Sequence, residues 1–201
     1  MHRPIMSRLT PLLFLASFVP LAGCISLSPN PPAMLLTLDS TAAPAIGTVA
    51  DSTQARTITV LVPSVPAAIA GARVPVYSGA TSIAYVKGAM WSEPPARLFA
   101  RLLADTVGAR TGRVVLSNAQ SFADPGARLG GELRRFGIDS GAREAVVLFE
   151  ATLMRDGQKA FQKRRFEARE PVTVIDAGGT AAALNRAANR VGAEVADWVG
   201  N

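Results

Sequence analysis

Two stretches of this 201-residue chain carry one-sided helical patterns, and everything else between them reads as strand. From Ala96 to Val107 the apolar residues Leu98, Phe99, Leu102, Leu103 and Val107 recur at steps that place them on one helical face, with Arg97, Arg101 and Asp105 off it. Near the C-terminus Leu184, Ala188, Val191, Val195 and Val199 form a second stripe at four- and three-residue steps. A helix with one apolar stripe must bury it against another layer, so the strands supply that layer. Ser92 or Glu93 begins the first helix, with Pro94 and Pro95 in its opening turn, and Gly108 and Gly112 bracket its end.

The strand candidates follow from β-branched runs and turn residues. "MLLTLDS" reads as a first short strand and "TITVLVPSV" (57–65) as the clearest early one, with the small-residue loop "TAAPAIGTVADSTQA" between them. "RVPVY" and "SIAYVK" flank a Ser78-Gly79 turn. After the first helix come "GRVVLS", then "ARLGGELRRFGIDSG" with a bulge expected at Gly130-Gly131. "AREAVVLFEATLMR" is a long strand in which Val147, Phe149, Ala151 and Leu153 share a face. Asp156-Gly157 predicts a type I′ hairpin turn returning through "KAFQKRRFEARE", where Phe161 and Phe166 differ in parity, so a bulge separates them or one faces outward. The order strands, helix, strands with hairpin, helix predicts a single α+β domain: a mixed, mostly antiparallel sheet with two main helices on one face.

The first 33 residues stand apart from this pattern. Arg3 and Arg8 precede "LTPLLFLASFVPLA", an apolar run shorter than the roughly 20 residues a membrane span needs. A basic start, short apolar core and small residues at its end predict a secretory signal over residues 1–23. Leu21-Ala22-Gly23-Cys24 resembles the lipobox of bacterial lipoproteins, with cleavage between Gly23 and Cys24 and acylation (palmitate or a similar chain) of the chain's only cysteine. Each buried methylene contributes about 0.8 kcal/mol, so a multiply acylated Cys24 would hold the protein on a membrane. Residues 24–33, with three prolines in "ISLSPNPPA", read as an extended tether ahead of a domain over 34–201. Ile25, rather than Asp, follows the cysteine; by resemblance to enterobacterial lipoproteins this leans toward the outer membrane.

Removing the signal changes what chemistry is available. The chain's one histidine, His2, leaves with it, and Cys24 is committed to lipid. That removes Ser-His-Asp and Cys-His catalysis together with the common zinc sites. S-x-x-K, G-x-S-x-G, G-x-x-x-x-G-K-[ST] and G-x-G-x-x-G are all missing from the sequence, so it indicates neither an enzyme nor a cofactor. The formal charge falls from +6 to +4 with Arg3 and Arg8 gone. These charges are dispersed and only 6% of residues are aromatic, which is not a nucleic-acid footprint.

Several segments together resemble one family. "VPSVPAAIAGARVPVYSGATSIAYVKGAMWSEPPARLFARLLADTV", "LGGELRRFGID", "AVVLFEATLMRDGQKAFQKRRFEA" and the Ala-rich last helix follow the lipobox in the order of the ABC-type transport auxiliary lipoproteins, the PqiC-like group. Trp91-Ser92-Glu93-Pro94 is the most specific part, with Pro66 and Tyr85 upstream. The resemblance implies a non-enzymatic accessory of an MCE-domain lipid transport system in the Gram-negative envelope. Its partners would be an MCE-domain protein and ABC transporter components, with phospholipid as a further contact and self-association as an option. The other reading is an envelope assembly lipoprotein that recruits subunits without transporting anything.

Candidate partner-binding residues are Trp91, Glu93, Arg164 and Arg165. Trp91 either anchors a partner or packs the start of the first helix. Lys159, Lys163, Arg164, Arg165 and Arg169 either meet acidic lipid or a partner, or guard a solvated edge strand. Arg134 and Arg135 divide the same way, and Tyr77, Tyr85 and Trp198 read as packing residues.

Overall fold

The structure, a computed structural model, describes residues 34–124 and 126–201. The signal, Gly23, Cys24 and the 24–33 tether lie outside the described residues.

Among the described residues seven strands and two α-helices form one α+β domain. β1 (Thr57–Val60) is built of β-branched residues. β2 (Arg73–Ser78) and β3 (Ser82–Met90) form a hairpin, followed by α1 (Pro95–Thr111) and β4 (Val114–Leu116). β5 (Ala127–Asp139), β6 (Glu144–Met154) and β7 (Phe161–Pro171) make a long antiparallel ribbon, and α2 (Ala177–Gly200) closes the chain.

β5 organises the sheet. One edge pairs along its length with β6, which pairs with β7. The other edge is shared: its start takes β1 in parallel, with β4 parallel beyond it, and its end takes β2, with β3 antiparallel beyond. Residues 61–64 bridge the two halves, with Leu61 N–H donating to Leu129 C=O and Ser64 N–H to Gly131 C=O. The sheet is mixed, and by paired length mostly antiparallel.

Both helices cover the same face. The alternation of β6 buries Ala145, Val147, Phe149, Ala151 and Leu153 toward them. Phe99 of α1 meets Phe136 of β5 at 6.4 Å and Phe149 of β6 at 5.3 Å between ring centroids. Trp198 of α2 meets Phe166 of β7 at 5.7 Å. Every residue of both sequence-read stripes is buried. The helices approach closely at Gly192, where a Cβ would lie 2.9 Å from Leu102 Cδ2. Gly112 ends α1 in the left-handed region (φ 67°), and the Asp176 carboxylate caps α2 by accepting from Gly179 N–H at 2.8 Å.

Three expectations are corrected. "MLLTLDS" forms no strand: Leu36 makes one bridge to Trp91 and the segment then crosses the helices. The bulge of β5 falls between Leu133 and Arg135, with Arg134 as the extra residue, because Gly130 and Gly131 keep register with Thr152 and Ala151. Asp156-Gly157 is not a type I′ turn, since only Gly157 has positive φ and the connection runs from 155 to 160. Asp156 instead accepts from Arg113 Nη1 at 2.9 Å, which ties that loop to the end of α1. Of the two alternatives left open for β7, the second holds: the strand has no bulge, and Phe161 faces outward, 66% exposed.

Candidate interaction surface

With both helices on one face, the opposite face of β5–β6–β7 presents cross-strand rows of charge. Glu132, Glu150 and Arg165 lie opposite one another in register, and Gly130, Thr152 and Lys163 form the adjacent row. Two glutamates side by side repel unless cations sit between them. Here Glu150 accepts from Arg165 Nε at 3.0 Å and from a second Arg165 nitrogen, and from Arg134 Nη1 at 3.0 Å. Those bonds, Arg165 first and Arg134 second, hold the Glu150 carboxyl below the usual carboxylate range. Arg169 closes the far end of the ribbon, reaching Glu167 at 2.6 Å, Glu144 at 3.4 Å and Asp139 at 3.7 Å. Lys163 has no carboxylate partner among the described residues, and β7 pairs with β6 only. The result is a cation-rich edge.

The sequence-predicted residues do not converge. Trp91 is 1% exposed and packs on Phe136 at 5.5 Å, so it is a core residue and presents no surface to a partner. Its place is fixed by the Leu36 bridge and by its backbone N–H donating to Ala72 C=O. Glu93 pairs with Arg101 at 2.5 Å on α1, away from the charged ribbon. Arg164 and Arg165 are neighbours on a strand and therefore point to opposite faces. Arg165 joins the outer rows, whereas Arg164 lies over the Phe166 ring at 5.1 Å.

A second cluster was not legible as a unit. Tyr77 packs close against Gly137, where a Cβ would stand 3.1 Å from Tyr77 Cε2 and 2.4 Å from Pro75 O. The Arg135 guanidinium stacks on the Tyr77 ring at 4.5 Å, and Arg73 stacks on Tyr85 at 3.9 Å. Burial pushes the Tyr77 hydroxyl up from its ordinary value. Beside this pair a groove of about 400 Å³ opens between the β2–β3 hairpin and β5. The signal that marks it is Gly137 inside "RRFGID", since a glycine in a strand interior invites close approach.

A larger cavity, about 750 Å³, lies between residues 43–55 and the C-terminal half of α1, with Asp105 and Arg113 in its wall. Burial raises the Asp105 carboxyl, offset in part by Arg101. Among the described residues no three of His, Cys, Asp and Glu gather as a metal site would require, and no helix is long and apolar enough to cross a membrane.

Comparison with known proteins gives the chain's relations. The sequence profile of the family described as ABC-type transport auxiliary lipoprotein component matches residues 36–196. A crystal structure of protein XCC0632 from Xanthomonas campestris shares the fold at TM-score 0.63 and 20% identity, covering 82% of this chain and 92% of that one. The crystal structure of an uncharacterized protein does so at 0.58 and 18%, covering 71% and 90%. No curated protein matches.

Proposed function

The chain belongs to the ABC-type transport auxiliary lipoprotein family, and from that premise we propose that it is a lipid-anchored, periplasm-facing, non-enzymatic accessory of an MCE-type lipid transport system. The observation that carries the reading is the extent of the match. It begins at residue 36, a short tether beyond Cys24, and takes in every strand and nearly all of α2. Cys24, acylated after cleavage at Gly23, anchors the chain in the outer membrane. Ten residues to Met34 span at most about 35 Å, enough to hold the domain clear of the headgroups. The domain then docks on the MCE-domain protein and ABC transporter components through exposed surface rather than through Trp91. The open charged face, with Arg165 in its rows, supports a docking role, and Arg164 adds a cation on the other side of the same edge strand. Energy comes from a separate ATPase, since the sequence holds no nucleotide loop.

In-cell crosslinking of the C-terminally tagged protein, followed by mass spectrometry, tests this, with Cys24→Ala as the control for anchor-dependent contacts. Recovery of an MCE-domain protein is the expected result. Capture of only the chain itself or of general envelope proteins would overturn it in favour of an assembly lipoprotein without a transport role.

A further inference from the structure

We propose that the groove between the β2–β3 hairpin and the bulge of β5 binds a phosphate-headed amphiphile, a phospholipid whose head meets Arg135 and whose first methylenes meet Ile83 and Pro66. The bulge makes the cationic wall. On a regular strand Arg134 and Arg135 would point to opposite faces, but the extra residue lets both line the same groove. Arg134 is already shared with Glu150, whereas Arg135 takes part in no ion pair among the described residues. Its guanidinium lies over the Tyr77 ring, 4.5 Å from the centroid, which holds it beside the groove. A planar fork held in this way suits bidentate contact with a phosphate.

The remaining lining fits the rest of such a ligand. No acidic residue lines the groove, so nothing there competes for the cation. The rest of the lining is largely apolar, with Pro66, Ala68, Ala80 and Ile83, the last 47% exposed and paired with Tyr77. Thr81 and Ser82 at the hairpin tip add hydroxyls to the lining. A site that combines cationic and apolar lining selects an amphiphile over a simple ion. The volume of about 400 Å³ holds a headgroup and the start of a chain, leaving the rest of the lipid in its membrane or carrier. The inference rests on the transport reading only for choosing a phospholipid as the amphiphile.

The test uses the full-length lipoprotein purified in a neutral maltoside detergent. Isothermal titration calorimetry is run with dihexanoyl phosphatidylglycerol below its micelle concentration, with inorganic phosphate, and with dihexanoylglycerol. The phospholipid is expected to bind saturably, about tenfold or more tighter than either other probe. Arg135→Gln should weaken it about tenfold, and Ile83→Ser should weaken the phospholipid but not phosphate. Ile83 is a half-exposed edge-strand side chain, so its replacement tests the groove even if Arg135→Gln disturbs packing. The proposal is overturned by absence of saturable binding, by affinity unchanged in both variants, or by phosphate alone matching the phospholipid. Because no transport partner is present, failure here leaves the crosslinking result standing, and failure there leaves this one.

Discussion

Asn189 Oδ1 accepts from both the backbone N–H and the Oγ1 of Thr41, at 2.8 and 3.0 Å. Asn189 Nδ2 donates to Asp39 C=O at 2.9 Å, and one turn earlier Asn185 Oδ1 accepts from Asp39 N–H at 2.9 Å. Two amides four residues apart on α2 thus serve residues 39–41 as a neighbouring strand would, while Ser40 and Thr106 hydroxyls meet at 3.0 Å over α1. The segment is stapled across both helices. Asn189→Ala removes three of these bonds and is expected to cost about 1–2 kcal/mol, less than their sum because water competes at an exposed site. Hydrogen exchange at the Thr41 amide checks it, with the Asp39 amide, still held by Asn185, as the reference. Faster exchange at Thr41 than at Asp39 is the expected outcome, and unchanged protection at Thr41 would mean that the remaining contacts hold the segment without Asn189.

Phe136 lies between Trp91 and Phe99, themselves core residues. Phe136→Ala should cost about 3–5 kcal/mol, from lost transfer energy plus the cavity left behind. Trp91→Phe should cost less than that. The Trp91 Nε1 is buried without an acceptor, so the substitution also relieves an unpaired N–H. Urea unfolding of both variants, followed by circular dichroism, orders the two. A larger loss for Trp91→Phe would show that the indole is held by more than packing.

How much of this was legible can be judged from the same residues. The stripes ending in Val107 and Val199 were readable because a helix is closed by local bonds and its burial pattern is periodic in the sequence. Gly112 marked its helix end for the same local reason. The misread places are those where a distant partner decides. Leu36 is taken up by Trp91, too briefly for a strand, and Asp156 by Arg113. The bulge at Arg134 depends on the register with β6, which no pattern within β5 contains. Trp91 could be weighed as packing but not located until β3, α1 and β5 were assembled around it. The pairing of Arg135 with Tyr77 joins residues 58 positions apart, and only the register of β2 on β5 reveals it.

Acid should weaken the outer face through Glu150. Its carboxyl is held below the ordinary range by Arg165 and Arg134, and Glu170 likewise by Arg190 and Arg186. A carboxylate whose folded value is lowered contributes stability that is complete above the unfolded range and lost as pH falls through the folded value. Stability should therefore drop between neutral and acid pH, and Glu150→Gln should reduce that drop. Urea midpoints of the two proteins at neutral and acid pH measure it. Because Glu150 is partly exposed, added salt should shrink the difference too. An identical drop in both proteins would assign the acid response elsewhere, with Glu170→Gln the next variant to compare.

The two adjacent glycines of β5 should respond oppositely to the same substitution. Gly131 has φ 140°, and a Cβ there would fall 2.0 Å from the Glu150 carbonyl oxygen, so β5 and β6 would have to separate. At Gly130 the nearest atom is Leu61 Cδ1 at 3.4 Å, an ordinary contact with a flexible side chain, and its φ is not positive. Gly131→Ala is expected to destabilise by about 2 kcal/mol or more, through backbone strain added to a broken ladder. Gly130→Ala should fall within about 1 kcal/mol of the parent, and restricting the unfolded chain could make it slightly stabilising. Thermal unfolding of the pair is the measurement. Equal losses at both positions would mean that Leu61 cannot move, which would place residues 61–64 among the rigid parts of the sheet rather than as a bridge laid along its edge.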